Sequence, residues 1–314
     1  MIVSITREGY VKRTSLRSYS ASNEERPGMK ETDDLLFAQQ LNTTDTLLIF
    51  TQNGRYIYMP VHQLPDIRWK DNAQHIGNIV QVEPDDMLIQ AIPVSEFKED
   101  KFLVFFTNQG MVKRTALSAY QAQRYTRSLV AVKLKDNDEV RNIQLTNGET
   151  DIFIGTQNGF GLRFPESEVS PVGQRAAGVK GINLKKNDTV VNGFCVPANN
   201  DSSWLIAMTQ RGAMKKMSLK EFESGSRANR GVVMLRELKT KPHFIVGLEL
   251  INQDVDVQIR TEEDQVSTQS TSSLRSVDRY NNGSFVVDVE ESGNIREIWI
   301  KTDHLNITTE ADKT

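Results

Sequence analysis

The stretch Val3-Ser-Ile-Thr-Arg-Glu-Gly-Tyr-Val-Lys-Arg-Thr-Ser-Leu16 decides the fold. An apolar run ends at Thr6, Arg7-Glu8-Gly9 turns the chain, and a second β-prone run returns from Tyr10 to Thr14. Gly9 is free to take positive φ, so the stretch reads as a β-hairpin. The same pattern returns in Leu47 to Tyr58 (Thr51, Gly54), Leu103 to Arg114 (Thr107, Gly110), Ile152 to Arg163 (Thr156, Gly159) and Leu205 to Lys216 (Thr209, Gly212). A worn copy starts at Val257, with Thr261 in place but Asp264 where the Gly belongs. The period is roughly 50 residues, the size of a propeller-type blade.

A blade of this kind cannot bury both its faces alone, so the copies must stack on one another. The expectation is an all-β, six-bladed array of about four-stranded blades. It forms a single domain over residues 1–304, with repeats starting near 1, 45, 101, 150, 203 and 255 and a C-terminal tail over 305–314. Each blade reads as hairpin, basic loop, strand, turn, strand. Pro84-Asp-Asp86, Lys135-Asp-Asn-Asp138 and Lys185-Lys-Asn-Asp188 are the turns, and their acids read as solvated. Phe285 to Val289 and Ile295 to Ile300 read as a closing hairpin across Glu290-Glu-Ser-Gly293. No segment carries long helical periodicity, and Leu219 to Phe222 is at most one turn.

The net charge of −3 over 314 residues is unevenly spread. From Glu249 onward there are 14 acids and 6 bases, which leaves 32 bases and 27 acids before it. A mildly basic body carries an acidic end, and such a body can bind polyanions although the whole chain is acidic. One cysteine, Cys195, excludes an internal disulfide and fits a reducing cytoplasm; in Gly-Phe-Cys-Val-Pro it reads as a small buried residue. No apolar run reaches the length of a membrane span, and no secretory signal precedes the first hairpin. A repeat that begins almost at Met1 is what a domain excised from a longer chain would show.

The fourth position after each turn residue is basic in four blades: Arg13, Arg114, Arg163 and Lys216, with Tyr58 the exception. Lys12, Lys113 and Lys215 precede three of them. The second position is apolar in Val11, Tyr56, Val112 and Met214, and in a strand it shares a face with the fourth. A bulge, or a base at the end of an outer strand, would reconcile the two. The bases either blunt exposed strand edges or form a ring that tracks a phosphate backbone. The loops favour the ring. Arg26 and Lys30, Arg68 and Lys70, Arg124 and Arg127, Arg175 and Lys180, and Arg227 and Arg230 recur after successive hairpins, on one side of the array. Gly178, Gly181 and Gly231 would let the backbone approach an anion.

Catalytic and metal-binding patterns are missing. His62, His75, His243 and His304 are scattered without ligand spacing, and there is neither a phosphate-binding loop nor a nucleophile elbow.

The hairpin Ile5-Thr-Arg-Glu-Gly9-Tyr-Val-Lys-Arg-Thr14 resembles the first blade of the C-terminal domain of bacterial type IIA topoisomerase A subunits, and the resemblance runs through all six repeats. Gly173-Gln-Arg-Ala-Ala-Gly-Val-Lys-Gly-Ile-Asn-Leu184 resembles that family's fourth-blade loop, and Asp66-Ile-Arg-Trp-Lys70 is similar to its Gram-positive topoisomerase IV branch. The resemblance implies a β-pinwheel whose blades exchange strands and whose basic perimeter binds and bends duplex DNA. It implies a parent enzyme that uses ATP and Mg²⁺, sits in the nucleoid-bearing cytoplasm, and joins two A with two B subunits for decatenation and relaxation. No cofactor or catalytic residue is expected in this portion. Gyrase carries a Gln-Arg-Arg-Gly-Gly-Lys-Gly box in the first-blade loop. Here Ser22-Asn-Glu-Glu-Arg-Pro-Gly-Met-Lys30 keeps only Arg26, Gly28 and Lys30 and adds Glu24 and Glu25, which points to the topoisomerase IV branch. Ala122-Gln-Arg-Tyr-Thr126 resembles the surroundings of the family's DNA-cleaving tyrosine, but Tyr125 falls in a β-blade loop and is expected to be non-catalytic. The rivals are a gyrase-type wrapping domain, a propeller-like scaffold that takes an acidic protein on its basic edge, and a propeller enzyme with a central site.

Overall fold

A computed structural model describes residues 1–23, 25–199 and 202–302. Glu24, His304 and the expected tail lie outside the described residues. The chain is all-β, with six antiparallel sheets set as the blades of a ring. The Thr-x-x-Gly spacing makes each hairpin. The threonine Oγ1 accepts the N–H of the residue after the glycine: Tyr10 to Thr6 and Met111 to Thr107 at 3.1 Å, Ala213 to Thr209 at 3.2 Å. The glycines sit at positive φ, as Gly9 does at 92°, and Asp264 keeps the conformation in the worn copy at 60°.

Five sheets have four strands and the sixth has three. The first blade runs Leu35–Gln40, Ile2–Thr6, Tyr10–Thr14, Gln74–His75 from axis to rim. Its rim strand comes from chain that follows the second hairpin. Leu129–Val130, Val179–Lys180, Val232–Val233 and Ser284–Phe285 do the same for blades two to five. Neighbouring blades therefore exchange strands, as the family resemblance implied. The closing hairpin expected at the C-terminus does not form. Ser284–Phe285 pairs with the fifth blade, Val289–Ser292 is a helical turn capped by Asp288, and Ile295–Ile300 pairs with Asp256–Thr261. The exchanged rim strand of blade one stops after two residues, and the chain leaves it through a 3-10 turn, Ile76–Asn78.

Both faces of the hairpin strands are covered by neighbouring blades, so Ile2–Thr6 and Thr46–Thr51 are buried at every position. Core clusters lie between blades: Val3, Ile5 and Val11 pack with Leu47, Ile49 and Ile57, and Leu48 and Phe50 with Leu103 and Phe105. Of the turn acids, Asp85 and Asp136 are exposed as expected, whereas the last aspartate of each turn is engaged by the protein itself. Asp33, Asp86, Asp138 and Asp188 accept the N–H of Glu8, Asn53, Gln109 and Asn158 at 2.9 to 3.1 Å, which fastens each hairpin turn to its own inner strand. Near the axis, side-chain amides bridge blades. Asn142 Nδ2 donates to Gly193 O at 2.8 Å and Asn192 Nδ2 to Leu248 O at 2.9 Å. Side chains close the ring between blades six and one. Arg7 meets Glu297 at 2.8 Å, and Trp299 Nε1 donates to Asp34 at 2.7 Å.

Candidate nucleic-acid interface

The basic pairs of the hairpins face inward and not to the rim. Lys12, Lys113 and Lys215 are 1%, 1% and 3% exposed. Each ammonium spends its three donors on acceptors that include carbonyls of the exchanged loop. Lys12 Nζ donates to Arg68, Trp69 and Asp71 carbonyls at 3.1, 2.7 and 2.6 Å. Lys215 reaches Arg279 O at 2.9 Å, Asn281 O at 2.6 Å and Met234 O. Lys113 reaches Ala131 O at 2.8 Å, Tyr120 Oη at 3.2 Å and Gln174 O. Burial lowers their pKa values to about 8 for Lys12, about 7 for Lys113 and about 8 for Lys215; Asp71 pulls the first, and Asp278 and Glu221 the last, partly back.

The fourth-position bases are clamps of the same kind. Arg13 Nε donates to Leu64 O at 3.0 Å and Arg114 Nε to Val169 O at 2.7 Å. Arg163 pairs with Asp151 of its own blade at 2.9 Å and donates through Nη1 to Phe222 O of the next blade at 3.4 Å, and Lys216 pairs with Asp254 at 2.8 Å. Arg114, Arg163 and Lys216 are buried and Arg13 half-buried. The bulge considered for these strands is not needed, because charge and core share a face by tying one blade to the next. The expected ring of phosphate contacts therefore loses Lys12, Arg13, Lys113, Arg114, Arg163, Lys215 and Lys216. The glycines are reassigned too. A side chain at Gly178 or Gly231 would strike the Val112 or Gly161 carbonyl of the strand it lies against, and one at Gly181 would strike Ile154. They permit strand exchange and close packing.

The remaining cations lie in loops at the rim, and these loops touch in sequence. Ser128 N donates to Gln81 O, Lys133 N to Ala176 O, Asn183 N to Asn229 O, and Arg236 N to Asn282. Residues 121–135 hold Arg124, Arg127, Lys133 and Lys135 and no acid; residues 171–186 hold Arg175, Lys180, Lys185 and Lys186 and no acid. Residues 224–241 hold Arg227, Arg230, Arg236, Lys239 and Lys241 against Glu237. Arg124, Arg127, Arg175, Lys180 and Arg230 are exposed and carry no ion pair among the described residues. Arg227 is half-buried and braces the loop through the Lys180 and Glu168 carbonyls. Lys133, Lys135, Lys185, Lys186, Arg236, Lys239 and Lys241 escaped the sequence reading, which paired cations by motif; the acid-free runs were the signal that would have found them.

The first-blade loops differ. Lys70 pairs with Glu25 at 2.9 Å, Arg68 with Asp71 at 2.8 Å, and Lys30 with Glu8 at 2.8 Å. Arg26 is turned onto the Asp33 carbonyl. These four expected contacts are exposed but already engaged by the protein's own groups. The free positive arc therefore covers the rim loops from 121 to 241. Tyr125 stands in that arc. Its ring lies 5.1 Å from that of Tyr58, and Gln63 donates to its hydroxyl. Among the described residues no cluster of three or more His, Cys, Asp or Glu could hold a metal ion, and no helix is long and apolar enough to cross a membrane.

Comparison with known proteins gives a consistent result. The family model for the DNA gyrase C-terminal domain, beta-propeller, matches residues 1–23, 45–95, 101–147, 150–197 and 203–252. The DNA topoisomerase 4 A-chain of Bacillus subtilis (strain 168) is 52% identical over 95% of the chain, which spans 36% of that relative's length. A crystal structure of the C-terminal domain of DNA topoisomerase IV superposes with a TM-score of 0.90 at 50% identity, covering 95% of this chain and 92% of the other. A DNA gyrase A C-terminal domain structure superposes at 0.67 with 17% identity over 96% and 99% of the two chains, a likeness of fold alone.

Proposed function

The chain belongs to the DNA gyrase C-terminal domain family, in its topoisomerase IV branch, and from that premise we propose that it binds duplex DNA without sequence specificity along the rim loops from 121 to 241 and bends it there. The observation that carries this is the run of three touching loops whose exposed cations lack ion-pair partners. Such a row can neutralise successive phosphates. No element of the described residues is shaped to read base edges in a groove: the helices are Leu16–Ser20 and Val289–Ser292, too short to serve as recognition helices. In the complete enzyme the domain steers DNA segments toward decatenation and relaxation. The B subunits, a second A-type chain, ATP and Mg²⁺ act through parts of the enzyme outside this chain. Gyrase-type wrapping of one chirality is disfavoured, since the first-blade loop keeps its cations in internal ion pairs.

A salt series tests the proposal. Duplex DNA titrated onto the 314-residue chain should bind with an affinity that falls steeply with salt and changes little with sequence. Salt-independent binding would mean that something other than the phosphates is recognised.

A further inference from the structure

The hairpin corner of the fifth blade departs from the repeat in three places at once. The residue before the positive-φ position is Glu8, Asn53, Gln109 and Asn158 in the first four blades, each with its N–H held by an aspartate. In the fifth it is Arg211, and His243 stands in the aspartate's place. His243 Nδ1 lies 2.9 Å from Thr209 Oγ1, and its Nε2 lies 3.0 Å from Arg211 Nη1. Burial and the Arg211 charge lower the His243 pKa, so the neutral ring donates to Thr209 and accepts from Arg211. The third departure is on the exchanged strand. The residue facing the first position after the turn is His75, Val130, Lys180 and Val233 in blades one to four, and Phe285 in the fifth. Phe285 is 63% exposed, the most exposed large apolar side chain among the described residues. The Arg211 guanidinium lies 5.6 Å from its ring centroid.

Nothing in the hairpin requires these changes, since four blades make the same turn without them. Arg211 and Phe285 line a groove of about 810 Å³ together with Lys241, while Asp288 and Glu290 also border it. The groove joins Lys241, the last cation of the basic loop 224–241, to Phe285, Asp288 and Glu290, which belong to the acidic end of the chain. A flat apolar face flanked by a guanidinium and an ammonium matches a sugar and base edge with its phosphate. An acidic peptide would match the cations alone, would leave the aromatic unused, and would meet Asp288 and Glu290.

We propose that this corner is where duplex DNA leaves the ring, with Phe285 packed against a deoxyribose and base edge while Arg211 and Lys241 hold the adjacent phosphate. Asp288 and Glu290 turn the backbone outward beyond that point. This inference rests on the DNA-binding function proposed above.

The test places a photo-crosslinking benzoylphenylalanine at position 285 of the 314-residue chain, and separately at the equivalent position 75 of blade one. With duplex DNA bound at low salt, position 285 should crosslink to DNA and position 75 should not. Phe285→Ala should weaken binding by roughly fivefold to tenfold and relax the DNA bend measured by end-to-end energy transfer. Salt-dependent binding without a crosslink at 285, or crosslinks of equal yield at both positions, would overturn the exit contact and leave the DNA-binding function standing. Absence of any DNA binding by the unsubstituted chain would overturn both. A crosslink at 285 to polyglutamate in place of DNA would assign the corner to an acidic protein and overturn the proposal.

Discussion

Glu297 accepts a hydrogen bond from Arg7 at 2.8 Å although 290 residues of chain separate them. Glu297 also pairs with Arg260 at 3.2 Å, and the Arg7 guanidinium lies 4.2 Å from the centroid of the Trp299 ring. Blades one to five each receive an exchanged strand, but the seam between blades six and one rests on these side chains. Each such contact is partly exposed and is worth about 1 kcal/mol or less.

Glu297→Gln should therefore open the seam without unfolding the blades. Hydrogen exchange should quicken in Leu35–Gln40 and Ile295–Ile300, with the difference from the unsubstituted chain shrinking at high salt, while strands of blades two to five keep their protection. Equal loss of protection around the whole ring would mean that the blades unfold as one unit.

The lysine clamps should behave as core residues. Lys12→Ala removes the donor shared by the Arg68, Trp69 and Asp71 carbonyls and opens space at a strand-exchange junction. The expected loss is about 2–4 kcal/mol in denaturant unfolding. Exposed Lys133→Ala should change stability by less than about 0.5 kcal/mol. Equal effects from the two would place the Lys12 ammonium in solvent.

The hairpin repeat was readable because its mechanism is local: a threonine hydroxyl and a positive-φ glycine at fixed spacing, down to the degraded copy at Asp264. Strand exchange could not be read from residues alone, because a rim strand such as Gln74–His75 is two residues long and carries no period. The clamp lysines were misassigned because a Lys-Arg pair on a strand ordinarily marks an exposed edge. One hint was present. The third position after the turn is Lys12, Lys113 and Lys215 in odd blades but Ile57 and Leu162 in even ones, and a site that accepts Ile or Leu in alternate repeats is a buried site.

The same lysines set a pH dependence. Their folded pKa values of about 8, about 7 and about 8 lie below the ordinary value of 10.5. Between those limits the unfolded chain binds more protons, so stability is lost as pH falls and regained as pH rises, by at most about 1.4 kcal/mol per pH unit for each lysine. Glu249 acts oppositely at lower pH. Burial raises it to about 7, so its contribution is present below 4.5 and is lost as pH climbs through 7. Tyr56, raised by burial to about 12, adds a contribution that is full below pH 10 and is lost as pH rises through 12. Denaturant midpoints should thus be lower near pH 7 than at pH 9.5, and Lys113→Met should flatten the rise. A midpoint that falls steadily from pH 7 to 9.5 would contradict the lowered lysine values.

Tyr125 should form no covalent bond to DNA. It lies in a rim loop with its ring against Tyr58 and its hydroxyl bonded by Gln63, and no metal cluster of the described residues stands near to activate it. Incubating the chain with duplex DNA and Mg²⁺, then denaturing, should yield free DNA only. A phosphotyrosyl adduct would make this chain a cleavage module.

The DNA path can be mapped by charge reversal, provided that the reversed residues are free. Lys215 and Lys216 would be poor choices, because both are buried clamps and their reversal would test folding. Arg175 and Arg230 are exposed, unpaired among the described residues, and lie on two touching loops. Arg175→Glu with Arg230→Glu should weaken duplex binding strongly and lower the slope of log affinity against log salt by roughly 1 for each lost phosphate contact. Arg68 is 80% exposed, yet it already pairs with Asp71, and Lys70 already pairs with Glu25. Arg68→Glu with Lys70→Glu should therefore cost clearly less, although the number of reversed charges is the same. Arg275→Glu, beyond the arc on the acidic end, should cost least. The order of the three variants discriminates between models. A uniform basic perimeter would make the first two pairs equal, whereas an arc confined to the loops from 121 to 241 separates them. If the blade-one pair weakened binding as much as the Arg175 and Arg230 pair, its ion pairs would have to break on DNA binding, and the arc would extend around blade one.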